Sequence, residues 1–344
     1  MSGYNRVRML VSQPYFTIAI PVRNGAAYLR EALDSALAQT FRDYEIVISD
    51  NASEDATPQI ISEYQRAHCA IRVLRSSTAL PLSRNWNTTF STARGEWVKI
   101  LAHDDLLHAN CLERIAEELE RVPREWRAHC GLIGTAEEWL FEGGKRWAGG
   151  KRWPGSYRTP DGHGICCNNP PFLTEYLKGT TPIPLPGAVT ATLHKPVLPE
   201  RGPFDERYFT SDTIAYLQII RRFHYLYIPE ILCVNRIQTM AATRISLAGE
   251  RYVTEAVTSS REALAEIGNT VPFRARLRMR WRPASIVASQ VSRALLRREP
   301  NLARSALGAC PATLLPLVPL LTLRALRRDL RKIRDIGLPA KLVL

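Results

Sequence analysis

Short apolar runs alternate with helically spaced apolar residues through the first third of the chain. Phe16-Thr-Ile-Ala-Ile20, Tyr44-Glu-Ile-Val-Ile-Ser49, Ile71-Arg-Val-Leu74 and Trp97-Val-Lys-Ile-Leu101 have the length and composition of buried strands. Between the first two, Leu29, Ala32, Leu33, Ala36 and Leu37 share one face of a helix over Ala26–Gln39. A second helix runs to about Arg66, with Ser53 or Asp55 placed to cap it, and a third covers Leu82–Ala93 up to Gly95. The order β-α-β-α-β-α-β predicts a parallel sheet with helices on both faces. The loops after the strands then share the edge of the sheet where ligands bind. Those loops are Pro21–Gly25, Asp50–Asp55 and the stretch ending in Asp104-Asp105.

The pattern then weakens. Leu112, Ile115 and Leu119 mark one more helix, but residues 122–200 are rich in Gly and Pro, as at Gly143-Gly144, Gly149-Gly150, Pro154, Pro160 and Pro170-Pro171. This predicts a loop-rich wall or lid with Leu132–Thr135 as a candidate strand. Trp147 and Trp153 within it suit either stacking on a bound ligand or pinning a loop. Thr213–Phe223 reads as a helix, and Tyr225–Ile228 and Ile231–Val234 as two closing strands that end at Asn235-Arg236.

Charge divides the chain. The net charge is +13 over 344 residues, yet the segment 271–344 holds 16 Lys/Arg against 3 Asp/Glu, leaving 30 of each in the first 270. A neutral body argues against a nucleic-acid partner, and the basic tail points to an anionic one. In the tail, Arg274, Arg276, Arg278, Arg280 and Arg282 alternate with other residues, as in a strand with five arginines on one face, stopped by Pro283. Ala284–Arg298 reads as a helix. Ala306–Leu323 is an uncharged run of 18 residues interrupted by Pro311, Pro316 and Pro319. That is near the minimum for crossing a bilayer. Beyond it, Leu323, Leu326, Leu330, Ile333 and Ile336 repeat at helical spacing among arginines, a basic amphipathic helix suited to an anionic membrane surface. The alternative is a helical pair docked on the protein's own body. The seven cysteines show neither zinc-site nor redox spacing, and the first residues lack signal-peptide character. Together these predict a reduced, cytoplasmic protein, peripheral at the inner face of the cell membrane.

The adjacent carboxylates Asp104 and Asp105 repel each other and lose solvation when buried. A hard divalent cation shared with substrate phosphates relieves both costs. An exposed Asp-Asp turn capping the next helix is the alternative. No Gly-x-Gly-x-x-Gly or Walker phosphate loop is present.

Ile18-Ala-Ile-Pro-Val-Arg-Asn-Gly25, Tyr28–Phe41, Ile46–Thr57, Asn85-Trp-Asn87, Ala93-Arg-Gly-Glu96 and Asp104-Asp105 resemble, in order and spacing, the inverting metal-dependent glycosyltransferases of family 2. The resemblance covers roughly residues 15–245 and implies a GT-A α/β fold, a Rossmann-like, mostly parallel sheet with flanking helices. It implies a nucleotide-binding half at 15–121 and an acceptor-side half at 122–245, after a lead-in at 1–14 and before a basic C-terminal region at 246–344. It implies that Pro21, Val22, Arg23 and Asn24 wall the nucleotide pocket with Asn85, that Asp50 reads base or ribose, and that Asp104 lies on the ribose side. Asp105 then holds Mn²⁺ or Mg²⁺, Asp212 is the catalytic base, and Arg236, more weakly Arg244, faces the phosphates. Two departures stand out. His103 replaces an acidic residue before the pair, and Ser211-Asp212 replaces a Glu-Asp pair. Asp50 and Asp212 could each serve instead as helix caps. The implied reaction moves a sugar from a nucleotide-diphosphate sugar to an acceptor hydroxyl with inversion, in cell-surface polysaccharide or glycolipid synthesis, on a glycan acceptor that a lipid could carry. Rival readings are a sugar nucleotidyltransferase and a catalytically inactive membrane-associated scaffold.

Overall fold

The computed structural model describes residues 13–141, 143–148, 164–168, 171–178, 181, 183–208, 212–238, 255, 258, 273–308, 310 and 312–336. The body opens with β1 (Phe16–Val22), α1 (Leu29–Leu37), β2 (Tyr44–Asp50), α2 (Thr57–Ala67), β3 (Ile71–Arg75), α3 (Leu82–Thr92) and β4 (Trp97–Ile100). There follow β5 (Leu106–Leu107), α4 (Cys111–Arg121), α5 (Arg124–Ala128), β6 (Cys130–Phe141), β7 (Arg146–Trp147), β8 (Ile165–Cys167), α6 (Pro171–Lys178) and β9 (Ala191–His194). The body closes with α7 (Asp212–Ile220) and β10 (His224–Ile237). Three helices complete the described chain: α8 (Phe273–Arg297), α9 (Pro300–Gly308) and α10 (Val318–Ile336).

The strands form one sheet in the order β3-β2-β1-β4-β9-β6-β10-β5, with β7 on β6 and β8 on β10. β3, β2, β1 and β4 are mutually parallel, as the alternation of strands and helices predicts. β9 runs antiparallel to both β4 and β6, and so joins the first half to a second parallel pair, β6 and β10. β1 is buried along its whole length because both faces of the sheet are covered. Ile18 and Ile20 enter a core with Leu29, Leu33, Ile60 and Leu112, while Ala19 faces the opposite core with Phe90, Ala215 and Tyr216. α1, α2 and α4 therefore cover one face, and α3, α6 and α7 the other.

Four expectations are revised. Residues 122–200 are less irregular than their glycines suggest, because β6 occupies the middle of the sheet. Gly134 is one reason: a Cβ there would lie 2.3 Å from the Tyr225 hydroxyl, which donates across the gap to the Pro184 carbonyl. The two closing strands are one, β10, whose pairing with β6 shifts register between Ile228 and Ile231, around Pro229. The cap of α2 is Ala56 rather than Ser53 or Asp55, although Asp55 Oδ1 accepts the Thr57 N–H. Residues 273–282 form the start of α8 rather than an arginine-faced strand, and the helix runs through Pro283. The period-two arginines have no strand partner among the described residues, while the helical spacing of Ala284, Val287, Ala288 and Val291 packs α8 onto Ala306 and Val318.

The uncharged run 306–323 is divided among the end of α9, a 3₁₀ turn at Ala312–Leu317 and the start of α10. Among the described residues no helix is long and apolar enough to cross a membrane. Ser292 Oγ donates to the buried Asp329 carboxylate, tying α8 to α10. Leu296 and Ile333 pack with Phe141, Trp139, Trp147 and Ile237, which seats the helical module on the ends of β6 and β10. The boundary placed at residue 245, together with Ser211, Arg244, Trp153, Gly149-Gly150, Pro154, Pro160, Pro170 and Pro311, lies outside the described residues.

Candidate functional site

β1 and β2 end together, with Val22 opposite Asp50 in register, and the Asn51 N–H donates to the Val22 carbonyl. Pro21 and Val22 are buried within β1. Asn24 takes a left-handed φ of 51°, which asparagine tolerates better than most residues. That conformation lets its N–H donate to Ser53 Oγ at 2.9 Å while its Oδ1 accepts the Glu54 N–H at 2.9 Å. Gly25 and Ala26 donate to Thr57 Oγ1 and Asp55 Oδ2. The first two strand-end loops are thus stitched into one unit. Burial raises the Asp55 carboxyl, but these hydrogen bonds outweigh it and hold it below the ordinary value. Arg23 is exposed and has no ion-pair partner among the described residues.

Asp50 is 1% exposed. Its Oδ1 accepts the Ser53 N–H at 3.0 Å; its Oδ2 is buried without a hydrogen bond, with Arg75 Nε at 3.4 Å. That oxygen keeps spare acceptor capacity beside the Arg75 guanidinium. Asn85 is placed differently. Its side chain is buried against Ser49, with Oδ1 accepting Ser49 Oγ at 2.7 Å and Nδ2 donating to the Ser49 carbonyl at 3.3 Å. It clamps the residue before Asp50.

Asp104 and Asp105 follow β4. Asp105 is 6% exposed, and its Oδ1 accepts the Arg236 N–H at 2.8 Å. Burial, and then the charge of Asp104, push the Asp105 carboxyl well above the ordinary range. Asp104 Oδ2 accepts Gln238 Nε2 at 2.7 Å, and the Asp104 carbonyl accepts Arg236 Nε at 2.8 Å. Asp104 Oδ1 and Asp105 Oδ2 take no hydrogen bond among the described residues. Two hard oxygens from adjacent carboxylates, one of them desolvated, suit Mn²⁺ or Mg²⁺. No cluster of three or more His, Cys, Asp or Glu able to hold a metal is present among the described residues. A cation here would therefore draw its remaining ligands from water and phosphate oxygens, as Mg²⁺ commonly does. His103 is half-buried and lies against Gly25, where a Cβ would come within 2.6 Å of its ring. This contact joins the Asp104-Asp105 loop to the stitched loops.

Arg236 links the parts. Besides its bonds to Asp104 and Asp105, its Nη2 reaches Glu31 Oε2 at 2.7 Å and its guanidinium lies 4.6 Å from the centre of the Tyr28 ring. The sequence assigns no role to Gln238 or Arg75, nor to Tyr28 and Glu31, which lie in the segment Tyr28–Phe41. Tyr28 and Glu31 carry a faint signal, since residues three apart at the start of α1 share a face beside the first loop. Their partner Arg236 lies 205 positions beyond Glu31, where no local pattern reaches.

Asp212 opens α7, half-buried, with its Oδ1 accepting the Thr213 N–H at 2.8 Å. Burial raises its carboxyl. Among the described residues no bond joins it to the Asp104-Asp105 group. Trp147 is half-buried and packs against Trp139 at 4.9 Å between ring centres.

Residues 17–126 match the family described as Glycosyl transferase family 2. An uncharacterized glycosyltransferase of Rickettsia typhi is 34% identical over 119 residues, covering 34% of this chain and 36% of that protein. The uncharacterized glycosyltransferase EpsJ of Bacillus subtilis is 30% identical over 108 residues, covering 31% of each. The chain thus spans about a third of the length of these curated relatives. Among solved structures, the mannosyltransferase PcManGT from Pyrobaculum calidifontis in complex with GDP-Man and Mn²⁺ aligns with a TM-score of 0.58 at 17% identity, over 97% of this chain and 86% of that one. S. aureus TarS 1-349 in complex with UDP-GlcNAc aligns with a TM-score of 0.57 at 16% identity, over 94% and 92%. At such identities the likeness establishes the fold, the GT-A arrangement with a helical C-terminal region.

Proposed function

We infer from residues 17–126, which carry the glycosyltransferase family 2 pattern on a GT-A fold, that this chain is an enzyme moving a sugar from a nucleotide-diphosphate sugar to an acceptor hydroxyl. The observation that carries the reading is the adjacent pair of half-buried Asp104 and buried Asp105 under Arg236, on the sheet edge where Asp50 keeps an oxygen without a hydrogen bond beside Arg75. Asp50 accepts from the nucleoside, and Pro21–Asn24 wall its pocket. Asn85 contributes by holding Ser49 in place. Asp104 lies toward the ribose, and Arg236 presents positive charge to the diphosphate. A bound Mn²⁺ or Mg²⁺, held by Asp105, would neutralise charge on the departing diphosphate. Asp212, its carboxyl raised by burial, takes the proton of the attacking hydroxyl, with inversion at the sugar carbon. Cell-surface polysaccharide or glycolipid synthesis is the setting this chemistry suits. The PcManGT complex with GDP-Man and Mn²⁺ supports the donor class and the choice of cation by likeness of fold.

The decisive experiment is a thermal-shift panel of uridine, guanosine and thymidine diphosphates, with and without Mn²⁺, on wild type and Asp105→Ala. Metal-dependent stabilisation by one nucleotide, absent in Asp105→Ala, is expected by linkage. No shift with any nucleotide would overturn the reading. With donor and acceptor, Asp212→Asn should lower kcat by roughly 10²–10⁴ while nucleotide binding persists. Near-normal turnover would remove Asp212 from the base role. Release of nucleoside diphosphate rather than pyrophosphate separates this reading from nucleotidyl transfer.

A further inference from the structure

Seven large apolar side chains are exposed among the described residues, and all but Leu82 lie between residues 295 and 330. They fall within the segment 271–344, which bears the whole excess of positive charge. Scattered exposed leucines are ordinary on a protein surface. Their concentration within one basic module is not.

α10 shows how they are arranged. Val318, Thr322, Ala325 and Asp329 are buried and recur at helical spacing, so they form the face that holds α10 to the rest of the protein. The opposite side carries Leu320, Leu323 and Leu330, exposed at 56%, 58% and 48%. Arg324, Arg327, Arg331 and Arg334 fall on the same side, within an arc of about 120° with the leucines at 3.6 residues per turn. Arg324, Arg327 and Arg331 have no ion-pair partner among the described residues, and Arg334 stands 3.5 Å from Asp335. The helix is already anchored by its other face, so neither the leucines nor the arginines of this face are consumed by folding. Leu326 and Ile333, which the sequence groups with Leu323 and Leu330, are half-buried, and Ile333 packs beside Phe141.

We propose that this outward face of α10 docks the protein on an anionic phospholipid surface. The leucines enter the headgroup–acyl boundary and the arginines pair with lipid phosphates, the division of labour of an interfacial helix. A second copy of the chain fits poorly, because a two-fold interface would set arginines against arginines. A nucleic acid would leave three leucines without a role. The proposal is independent of the transferase reading. Because α8 and α10 pack on the ends of β6 and β10, a docked α10 would hold the Arg236 end of β10 in a fixed relation to the surface.

The test is co-sedimentation of the full chain with phosphatidylcholine vesicles, with and without about 30 mol% phosphatidylglycerol. Wild type should bind only the anionic vesicles, and added salt should weaken it. The variant Arg324→Glu/Arg327→Glu/Arg331→Glu and the variant Leu320→Ser/Leu323→Ser/Leu330→Ser should each lose roughly tenfold or more in partitioning. Both should keep the wild-type melting temperature and its response to nucleoside diphosphate and Mn²⁺. No binding by wild type, or binding unchanged in both variants, overturns the proposal. So does a wild-type dimer, seen by light scattering, that the leucine variant converts to monomer without change in vesicle binding. Equal retention of a short nucleic acid by wild type and the leucine variant, with the leucine variant also retaining its vesicles, overturns it in favour of a simple polyanion surface. Loss of the nucleotide response in wild type would count against the transferase reading and leave the vesicle result to stand alone.

Discussion

Asp105 carries its carboxylate into the protein beside a second one, and that placement sets its response to pH. Its carboxyl titrates well above the ordinary value, with burial the first cause and Asp104 the second. As pH rises past about 3.9, Asp105 in the unfolded chain gives up its proton first. The folded state then holds more protons, and metal-free stability falls until the raised value is passed. Asp105→Asn removes this contribution and keeps an acceptor for the Arg236 N–H. In chelator at pH 7 the variant should melt above wild type, by about 2–4 °C for each kcal/mol recovered. The difference should close below about pH 4, where the wild-type carboxyl is protonated in both states. Equal melting temperatures from pH 4 to 8 would show that the carboxylate is not desolvated. The same substitution removes a negative oxygen from the proposed metal site, so gained stability and lost Mn²⁺ response should appear together. Asn85 makes a contrasting case. Asn85→Ala strips two hydrogen bonds from Ser49 in a buried setting and should cost about 1–3 kcal/mol in denaturant melts.

At the scale of elements, legibility followed the regularity of the pattern. β1 to β4 and α1 to α3 stand in the sequence as written, because strands buried on both faces are continuous apolar runs and their helices keep a narrow apolar stripe. β6 shows only in part, as the candidate strand Leu132–Thr135 within Cys130–Phe141, because Gly131 and Gly134 break its run where Phe223, Ile219 and Tyr225 press on the backbone. The start of α8 misleads in the other direction, since alternating arginines mimic a strand while tertiary packing makes a helix. The turn between α3 and β4 is a further case of backbone approach. A Cβ on Gly95 would lie 2.4 Å from the Thr17 nitrogen and 2.5 Å from the Phe16 carbonyl carbon. Neither atom can retreat without moving β1. Gly95→Ala should therefore destabilise by about 1–3 kcal/mol or more, read as a fall in the urea midpoint with unchanged m. An unchanged midpoint would mean that β4 shifts freely against β1.

Across the whole molecule, β9 and Lys99 join the two halves. Lys99 lies in β4, fully buried, and donates to the Val189 carbonyl at 2.6 Å and the Ala191 carbonyl at 3.4 Å. Burial alone would raise the Cys233 thiol, but a hydrogen bond from Cys111 and the Lys99 charge hold it below its ordinary value. Lys99→Met fills the space but leaves the carbonyls without that donor, at about 1–3 kcal/mol for each group left unsatisfied. The expected outcome is a broad loss of stability and of nucleotide response together, since Asp50, at the end of β2, and Arg236, in β10, stand on opposite sides of this seam. A variant as stable as wild type would show that backbone pairing of β9 suffices.

The sequence by itself determined the parallel half-sheet, the edge on which Asp50, Asp104 and Asp105 lie, and the split between neutral body and basic tail. Each depends on residues close together in the chain, where periodicity and strand-end position are sufficient. Only the tertiary structure decided that β6 threads the centre of the sheet and that Arg236 reaches Asp104, Asp105, Glu31 and Tyr28 at once. It also decided which leucines of α10 turn inward. Those outcomes depend on contacts between residues far apart in sequence, whose geometry is set by how the sheet and helices pack and not by any local run of residues.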